Sequence, residues 1–336
     1  MEICGGQTHA IMRYGLDRLL PKQIRLIHGP GCPVCVTPIE IIDRALELAR
    51  NPKIILTTFG DMLRVPGSNG DLMHARAEGA DIRIVYSPQE ALILAHTERD
   101  RQVVFFAIGF ETSAPGHAAV VYQAHGENIS NFSILTALVM VPPAIRSLLD
   151  APDCSINGFL AAGHVCTVSG YRDYENIASK YKIPIVVTGF EPVDILLGVY
   201  KLIELLESGR SKVINAYARA VQPEGNQPAR RMVDEVFQTV DRRWRGLGFI
   251  KDSGLDLKNK YSAFDAVRKF TLSASSGTDN EACISGQILT GRKRPDECPC
   301  FGNDCTPEHP LGATMVSSEG ACAAYYSYRT TSSRLR

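Results

Sequence analysis

The sequence predicts an α/β fold with parallel sheets, and two observations lead to this prediction. Short apolar runs recur through residues 1–210, and segments with apolar residues at helical spacing separate them. Strands that alternate with such helices are typical of parallel sheets covered on both faces. The predicted strands span residues 24–28, 54–59, 83–86, 103–110, 134–141, 159–162 and 185–188.

Two segments carry signals for the start of a helix. In the first, Thr37 is a capping residue, Pro38 occupies the first helical position and Glu40 follows three residues after the cap. Residues 87–90 repeat this pattern with serine, proline and glutamate. Both segments come after a predicted strand, which supports the alternation of strands and helices.

A short internal repeat indicates that the α/β part consists of two related, Rossmann-like lobes. Gly-Phe-Glu occurs at residues 109–111 and again at 189–191, each time directly after a predicted strand. The C-terminal part is rich in turns and cysteines and shows little periodicity. We therefore expect a first lobe over residues 1–125, a second over 126–250 and a small region organised by a metal centre over 251–336.

Composition and charge exclude two classes of partner. The 336 residues carry 36 basic and 36 acidic side chains, so no basic surface for nucleic acid or an anionic membrane is expected. The longest apolar stretch, residues 132–145, is too short for a bilayer span and contains two prolines. Charged residues near the start argue against a signal peptide. We therefore expect a cytoplasmic protein that binds neither nucleic acid nor membrane.

The ten cysteines fall into two groups, which indicates two separate sites. Three lie before residue 36 and five lie after residue 282. Because cytosolic thiols are normally reduced, disulfide staples do not explain them. Only Cys154 and Cys166 lie between the groups, and for these we expect buried, inert thiols.

Cys32 and Cys35, separated by two residues, can form a small disulfide or share a metal ion. Spacing alone leaves open whether they are a structural or zinc-binding pair or a redox pair. The glycines and prolines around them favour an exposed functional loop. Cys35 precedes the expected cap Thr37 by two residues, so the helix dipole should favour a reactive thiolate there.

A third thiol, Cys4, follows a short apolar start and precedes a probable helix that contains His9. Thiolate and imidazole are ligands that suit iron. A structural role for the histidine is the alternative. Parallel sheets bring loops together outside the carboxyl ends of their strands, so we expect Cys4 to lie near Cys32 and Cys35.

Five cysteines near the C-terminus are candidates for a second metal site. They are Cys283, Cys298, Cys300, Cys305 and Cys322. Four thiolates suffice for a [4Fe–4S] cluster. The spacing matches neither a ferredoxin nor a zinc ribbon, so it leaves zinc and iron–sulfur both open.

Five motifs give the chain a resemblance to a known family. They are CGGQTH at 4–9, GPGCPVC at 29–35, TFGDMLRVPGS at 58–68, GFETSAP at 109–115 and GHVCTVSG at 163–170. In this order, and with the C-terminal cysteines, they resemble the HypD family over essentially the whole chain. Members of that family are scaffolds on which the iron–cyanide–carbonyl centre of [NiFe] hydrogenases is assembled.

The resemblance implies roles for residues of the N-terminal motifs. Cys4 would hold the assembling iron together with a cysteine of a small HypC-type chaperone. Cys32 and Cys35 would be redox-active. Glu111 and His164 would line the same cleft and move protons or bind ligands, and a buried hydrogen-bonded side chain is the alternative for both.

The resemblance also implies which C-terminal thiols hold a [4Fe–4S] cluster. The ligands would be Cys283, Cys298, Cys305 and Cys322. Cys300 would then be a bystander or a substitute ligand.

Three positions depart from the family pattern. Gln7 stands where many members have histidine, so a second imidazole is not essential here. Ser285 and Thr314 stand where relatives often carry a further pair of cysteines, so no thiol relay between cluster and cleft is expected. Electrons could then pass directly only if the C-terminal region packs close to the cleft; otherwise a soluble reductant must act on Cys32 and Cys35. We therefore expect the cluster and this thiol pair to be redox-uncoupled.

We therefore expect an assembly scaffold with redox activity rather than a conventional enzyme. Its partners would be the HypC-type chaperone, a HypE-type cyanide donor and, transiently, a hydrogenase large subunit. The alternative is a stand-alone thiol–disulfide oxidoreductase with a structural metal site at its C-terminus. A third possibility is a zinc-stabilised binding protein without chemistry.

Overall fold

A computed structural model describes residues 1–273 and 277–333 of the chain. These residues form an α/β fold with one six-stranded, mostly parallel sheet and one three-stranded parallel sheet, which confirms the predicted fold class. Within the predicted C-terminal region, 251–336, residues 274–276 and 334–336 lie outside the described residues. The division into three domains stays a prediction.

The described residues contain nine strands. They are β1 Ile54–Thr58, β2 Ile82–Ile84, β3 Gln102–Gly109, β4 Phe132–Val139, β5 Phe159–Ala162, β6 Ile185–Thr188, β7 Val213–Asn215, β8 Phe237–Trp244 and β9 Gly248–Leu257. The predicted strands from residue 54 onward correspond to β1–β6. The one predicted at 24–28 forms only an isolated bridge, at His28.

Fifteen α-helices lie in the same part of the chain. They are α1 Gly5–Tyr14, α2 Leu16–Leu19, α3 Pro33–Val36, α4 Ile39–Ala49, α5 Leu72–Ala77, α6 Pro88–Thr97, α7 Ala114–Gly126, α8 Val141–Leu149, α9 Gly163–Ser169, α10 Arg172–Tyr181, α11 Pro192–Glu207, α12 Gln227–Val236, α13 Ala266–Lys269, α14 Ser285–Leu289 and α15 Ala321–Ser333. Short 3₁₀ helices span Gly60–Arg64, Asn259–Phe264, Pro295–Glu297 and Ala313–Met315. Among the described helices, none combines the length and the apolar character needed to cross a membrane.

The first sheet has the strand order β2-β1-β3-β4-β9-β8. Its first four strands are parallel, whereas β9 runs antiparallel to β4 and to β8. All residues of β4 and all but the first of β3 are buried. Such strands carry helices on both faces, which is why they appear in the sequence as continuous apolar runs.

The second sheet, β5-β6-β7, is extended by the start of the chain. Glu2 forms parallel bridges with Leu160 of β5 on one side and with His28 on the other. The first residues therefore run alongside β5 in the same direction. Cys4 follows at their carboxyl end, next to His164 at the start of α9, as expected for loops that follow parallel strands.

One predicted helix start is confirmed and one is wrong. The Ser87 side chain accepts a hydrogen bond from the backbone N–H of Glu90, as predicted for the start of α6. Thr37 does not cap α4, because its hydroxyl donates to the carbonyl oxygen of Pro33, 2.8 Å away. The preceding residues form the separate one-turn helix α3, so Thr37 ends that helix instead of starting the next.

The hairpin β8–β9 was not predicted from the sequence pattern. Its strands place many polar residues on an exposed face, so they contain no apolar run that would reveal them. Gly246 and Gly248 at its tip have φ angles of 79° and 85°, a backbone conformation that favours glycine. The tip itself is anchored, since Trp244 is fully buried.

Candidate functional site

Cys4 and His164 lie together at the carboxyl edge of the second sheet. The Cys4 Sγ atom is 3.7 Å from Nδ1 of His164. Burial lowers the pKa of His164 to about 4, so its imidazole is neutral at pH 7. Burial also raises the pKa of the Cys4 thiol, and the backbone N–H groups of Gln7 and Gly6 oppose that rise only in part. The site therefore pairs a protonated thiol with a neutral base.

The carboxylate of Glu2 fixes the backbone around Cys4. Glu2 is fully buried and accepts hydrogen bonds from the Cys4 backbone N–H at 2.9 Å and from the Thr8 hydroxyl at 2.5 Å. His28 Nδ1 lies 2.6 Å from the same carboxylate. A buried carboxylate with three partners is strongly held, so Glu2 joins the first turn of α1 to the segment before Cys32. Sequence reasoning missed Glu2, although a charged residue inside an apolar start is the signal that marks it.

Gln7 attaches α1 to the ends of two strands. Its buried Nε2 donates to the carbonyl oxygens of Thr188 and Gly189, each 3.2 Å away, and to that of Ala161 at 3.4 Å. Its Oε1 is buried without a hydrogen-bond partner in the described residues. The amide thus positions the helix that Cys4 begins, by donating to the ends of β5 and β6.

The loop 29–35 lies directly against Cys4. A Cβ atom on Gly31 would sit 2.1 Å from the backbone nitrogen of Cys4, so only glycine allows this approach. The Gly5 N–H donates to the Gly31 carbonyl oxygen at 2.8 Å. The segments that carry Cys4 and Cys32 are therefore in contact, as expected from the parallel strands.

Cys32 and Cys35 are both buried, so the expectation of an exposed loop around them is wrong. Both are free thiols. Cys32 is the N-cap of α3, and its Sγ accepts from the Cys35 N–H at 3.3 Å. The predicted low pKa of Cys35 is wrong. Burial raises the pKa of this thiol, and the neighbouring Cys32 thiol raises it further. A single buried helical turn does not offset the loss of water around a thiolate.

Glu319 is a residue of this site that sequence reasoning missed. A Cβ atom on Gly5 would lie 2.6 Å from the Cβ of Glu319, which places the carboxylate beside the start of α1. Its negative charge adds to the burial that raises the pKa of both Cys4 and Cys35. Partial burial raises the pKa of Glu319 itself, and Asp61 nearby adds to this. Its position three residues before Cys322 was the only sequence signal.

Glu111 and His9 form hydrogen bonds to segments other than those of Cys4 and His164. Glu111 Oε1 accepts from the Val141 N–H at the start of α8, at 2.9 Å. Its Oε2 is buried without a hydrogen-bond partner in residues 1–273 and 277–333, and burial raises the pKa of the carboxyl to about 7. His9 Nδ1 lies 3.1 Å from the carbonyl oxygen of Ser318, and its Nε2 lies 3.4 Å from the Tyr328 hydroxyl. His9 therefore faces the C-terminal segment.

All five C-terminal cysteines line one small cavity. They are Cys283, Cys298, Cys300, Cys305 and Cys322. The Leu311 N–H donates to the Cys305 Sγ at 3.4 Å, and the Thr314 hydroxyl donates to the Cys322 Sγ at 3.2 Å. A Cβ atom on Gly312 would lie 2.3 Å from the Cys283 Sγ, so this glycine leaves room for the thiol.

Charge interactions indicate that Cys298 lies near Cys322. Burial raises the pKa of Cys322, and the thiols of Cys283, Cys305 and Cys298 raise it further. Burial raises the pKa of Cys300 as well, and its thiol neighbours are Cys298 and Cys283. The Cys298 thiol is thus close to the deepest thiol of the cavity, as the resemblance implies for a cluster ligand.

The cavity offers the thiol ligands that an iron–sulfur cluster needs. In the part of the chain that the structure describes, no three Cys, His, Asp or Glu side chains converge on the position of one metal ion. The five thiols instead surround a space. A [4Fe–4S] cluster takes one thiolate at each of four irons, so its ligands are spread in this way.

The cysteine cavity and the loop 29–35 are in contact. A Cβ atom on Gly320 would lie 3.1 Å from the Cys35 Sγ and 2.3 Å from the Thr314 carbonyl oxygen. Gly320 stands two residues before Cys322. The C-terminal region therefore packs close to the cleft, which meets the condition for direct electron transfer.

These features define an α/β protein with two adjacent thiol sites, one at a sheet edge and one in a cysteine-lined cavity. The sequence model of one family, described as "HypD: Hydrogenase formation hypA family", matches residues 1–329. The chain therefore belongs to the HypD family of hydrogenase maturation factors.

Relatives match nearly the whole chain. The hydrogenase maturation factor HypD of Azotobacter vinelandii is 49% identical over 335 residues, which are 98% of this chain and 88% of the relative. That of Escherichia coli (strain K12) is 48% identical over 330 residues, again 98% and 88%. The hydrogenase expression/formation protein HupD of Azotobacter chroococcum mcd 1 is 48% identical over 335 residues, with the same two shares. These matches confirm the resemblance inferred from the five motifs.

Proposed function

We propose that this protein is an iron–sulfur scaffold for the assembly of the iron–cyanide–carbonyl centre of a [NiFe] hydrogenase. The observation that carries the proposal is the contact between Cys4 and His164, 3.7 Å apart, beside the thiols of Cys32 and Cys35. Membership of the HypD family supports it. The iron is the cargo of this site, and the protein supplies the surface on which its ligands are attached.

Cys4 would hold the iron through its thiolate. Burial keeps the thiol protonated in the empty cleft, so the proton must leave as the cation arrives. The neutral imidazole of His164 is placed to take that proton at Nδ1. Glu2, through the Cys4 backbone N–H, keeps the thiol in this position.

Cys32 and Cys35 would supply reducing equivalents. Oxidation of the two thiols to a disulfide releases two electrons and two protons. Glu319, whose charge acts on the Cys35 thiol, could accept one of these protons. The two thiols are already neighbours, because the Cys32 side chain is hydrogen-bonded to the Cys35 thiol.

Four thiols of the C-terminal cavity would hold the [4Fe–4S] cluster. They are Cys283, Cys298, Cys305 and Cys322. When bound, such a cluster supplies single electrons. Cys300 lines the same cavity and would not be a ligand.

Partners follow from the family. A HypC-type chaperone would share the iron through a cysteine of its own, and a HypE-type protein would deliver cyanide. The finished centre would pass toward a hydrogenase large subunit. A cytoplasmic location fits this role.

An infrared spectrum tests the proposal. The protein, purified without oxygen together with its HypC-type partner, should show bands of iron-bound cyanide and carbon monoxide. Cys4→Ala should remove these bands and leave the cluster iron in place, because the two sites use different thiols. Cys154 is exposed, so the expectation of a buried thiol at this position is wrong. Cys154→Ala, a matched change at this exposed thiol, should leave the bands intact. Bands of normal intensity in Cys4→Ala would show that another residue holds the iron.

The burial of the Cys32 and Cys35 thiols argues against a stand-alone oxidoreductase. Attack on a foreign disulfide requires an accessible thiolate, whereas Cys32 and Cys35 are 4% and 2% exposed. Such an enzyme would also give no role to Cys4, although the loop 29–35 lies directly against it. The infrared spectrum separates the two functions, since an oxidoreductase carries neither cyanide nor carbon monoxide.

A further inference from the structure

The tip of the β8–β9 hairpin, residues 244–246, contacts the segments that carry both thiol sites. Trp244 is fully buried, and its ring centroid lies 5.9 Å from that of Phe110, the second residue of the GFETSAP motif. The Trp244 Nε1 donates to the Ser253 hydroxyl at 2.9 Å, which anchors the tip to its own hairpin. The next two residues reach the thiol loop and the cysteine cavity.

Arg245 makes three directed contacts to three different segments. Its backbone N–H donates to the carbonyl oxygen of Val36 at 2.8 Å, one residue after Cys35. Its Nε donates to Asp279 Oδ1 at 2.6 Å, and its Nη1 donates to the Pro66 carbonyl oxygen at 3.0 Å. The segment that contains Asp279 leads directly to Cys283. One residue thus joins the end of α3 to the start of the cysteine cavity.

Gly246 continues the contact on the cavity side. A Cβ atom on Gly246 would lie 3.0 Å from the Cα of Gly286, and a Cβ atom on Gly286 would lie 2.5 Å from the Gly246 carbonyl oxygen. The two backbones therefore touch without side chains between them. Gly286 belongs to α14, which begins two residues after Cys283.

The energetics argue that Arg245 holds these segments in place. Its side chain is only 2% exposed, and burying a guanidinium is unfavourable unless its donors are paired. Asp279 and Pro66 provide that pairing. A neutral, shorter side chain would leave the Pro66 carbonyl oxygen and the Asp279 carboxylate without their donor, so both segments would separate from the hairpin more easily.

We propose that Arg245 is a positioning residue that fixes the loop of Cys35 and the Cys283 side of the cavity at one separation. The functional importance of this separation rests on the proposed function, in which electrons pass between the two thiol sites. The contacts themselves are independent of that function. Arg245 touches neither a thiol nor the assembling iron, and it acts through Val36, Pro66 and Asp279.

Thiol alkylation tests the proposal on the intact protein, purified without oxygen. Iodoacetamide labelling is followed residue by residue with peptide mass spectrometry. In Arg245→Gln we expect Cys283 to be labelled at least about tenfold faster than in the unchanged protein, since local opening becomes easier once Asp279 loses its donor. Cys35 should stay slow, because the backbone N–H of residue 245 still donates to Val36. Cys166, fully buried in the second lobe, reports global unfolding and should keep its slow rate.

Two further variants sharpen the test. Arg243→Gln changes an exposed arginine on the same strand, whose Nε lies 3.6 Å from Glu40, and should leave all labelling rates unchanged. Asp279→Asn weakens only the contact to the cavity segment. It should speed labelling of Cys283 and leave Cys35 slow, because Arg245 keeps its bonds to Val36 and Pro66.

Two results would overturn the proposal. An unchanged rate at Cys283 in Arg245→Gln would show that the Arg245 side chain does not hold the cavity segment. Faster labelling of Cys166 together with Cys283 would show a general loss of stability. Iron and sulfide are measured on the same samples, so a protein without a cluster would contradict the proposed function, while the labelling rates would still decide the role of Arg245.

Discussion

The Sγ atom of Cys4 lies 3.7 Å from Nδ1 of His164, although 160 positions separate the two residues in the chain. They meet because the first residues of the chain run parallel to β5, and His164 follows β5 directly. Both groups are uncharged at pH 7, since burial lowers the pKa of His164 to about 4 and raises the pKa of the Cys4 thiol. An arriving cation can change this balance.

The first prediction concerns His164 as the proton acceptor for Cys4. His164→Gln should slow the growth of the cyanide and carbonyl infrared bands at least about tenfold, because the thiol proton then leaves without a base. The cluster iron should not change. His96→Gln, the same substitution in a surface ion pair with Glu127, is the matched control. Band growth at the normal rate in His164→Gln would assign the proton to another group.

The second prediction separates the ligands of the cysteine cavity. Protein purified without oxygen should contain about four irons and four sulfides for one [4Fe–4S] cluster. Cys305→Ala should lose most of both, whereas Cys300→Ala should keep them, because the family pattern implies Cys305, and not Cys300, as a ligand. Loss of iron in Cys300→Ala with retention in Cys298→Ala would reverse the assignment.

The third prediction concerns the pH dependence of stability at Glu111. Burial raises the pKa of this carboxyl from 4.5 to about 7. Below pH 4.5 it is protonated in both the folded and the unfolded chain, so its ionisation does not affect stability. Between pH 4.5 and 7 the folded protein binds more protons than the unfolded chain, so the free energy of unfolding falls as pH rises.

Glu111→Gln should remove this fall. The measured quantity is the free energy of unfolding of Glu111→Gln minus that of the unchanged protein. This difference should be up to about 3 kcal/mol more favourable to the variant at pH 8 than at pH 4.5. Denaturant unfolding at both pH values measures the change. Glu78→Gln, at an exposed glutamate, is the control and should follow the unchanged protein. If the free energy of unfolding depends on pH in the same way in Glu111→Gln and in the unchanged protein, ionisation of the Glu111 carboxyl does not destabilise the fold.

The sequence predicts the parts of the fold that are buried on both faces. β3 and β4 appear as apolar runs because helices cover both sides of the parallel sheet. The hairpin β8–β9 lies at the edge of that sheet and exposes one face. Its exposed polar residues interrupt the apolar run by which a strand is predicted from sequence. The cap at Thr37 is predicted wrongly because a local pattern cannot show that Cys32 already starts a helix.

The sequence predicts which residues belong to the candidate site better than it predicts which residues they contact. Cys4, Cys32, Cys35 and His164 stand in motifs, and parallel topology predicts that their loops gather. Glu319 is missed, because its place beside Cys4 depends on how the C-terminal segment packs against α1, over 300 residues away in the chain. Such long-range packing leaves no periodic signal in the sequence.

Packing at Gly320 also changes the expectation for electron transfer. The absence of cysteines at 285 and 314 predicts uncoupled thiol sites only if the C-terminal region lies apart from Cys35. A Cβ atom on Gly320 would lie 3.1 Å from the Cys35 Sγ, so the two regions touch. Within the C-terminal region, the Thr314 hydroxyl donates to the Cys322 Sγ at 3.2 Å.

The last prediction is therefore that the two thiol sites exchange electrons without a relay. Photoreduced deazaflavin, a one-electron donor, should convert an oxidised Cys32–Cys35 disulfide into two thiols, a step that takes up two electrons and two protons. Cys305→Ala lacks a ligand in the cavity but keeps both thiols, and its disulfide should be reduced at least about tenfold more slowly. Alkylation and peptide mass spectrometry count the thiols at both positions over time. Equal rates in the two proteins would mean that the donor reduces the disulfide directly and that the sites are uncoupled.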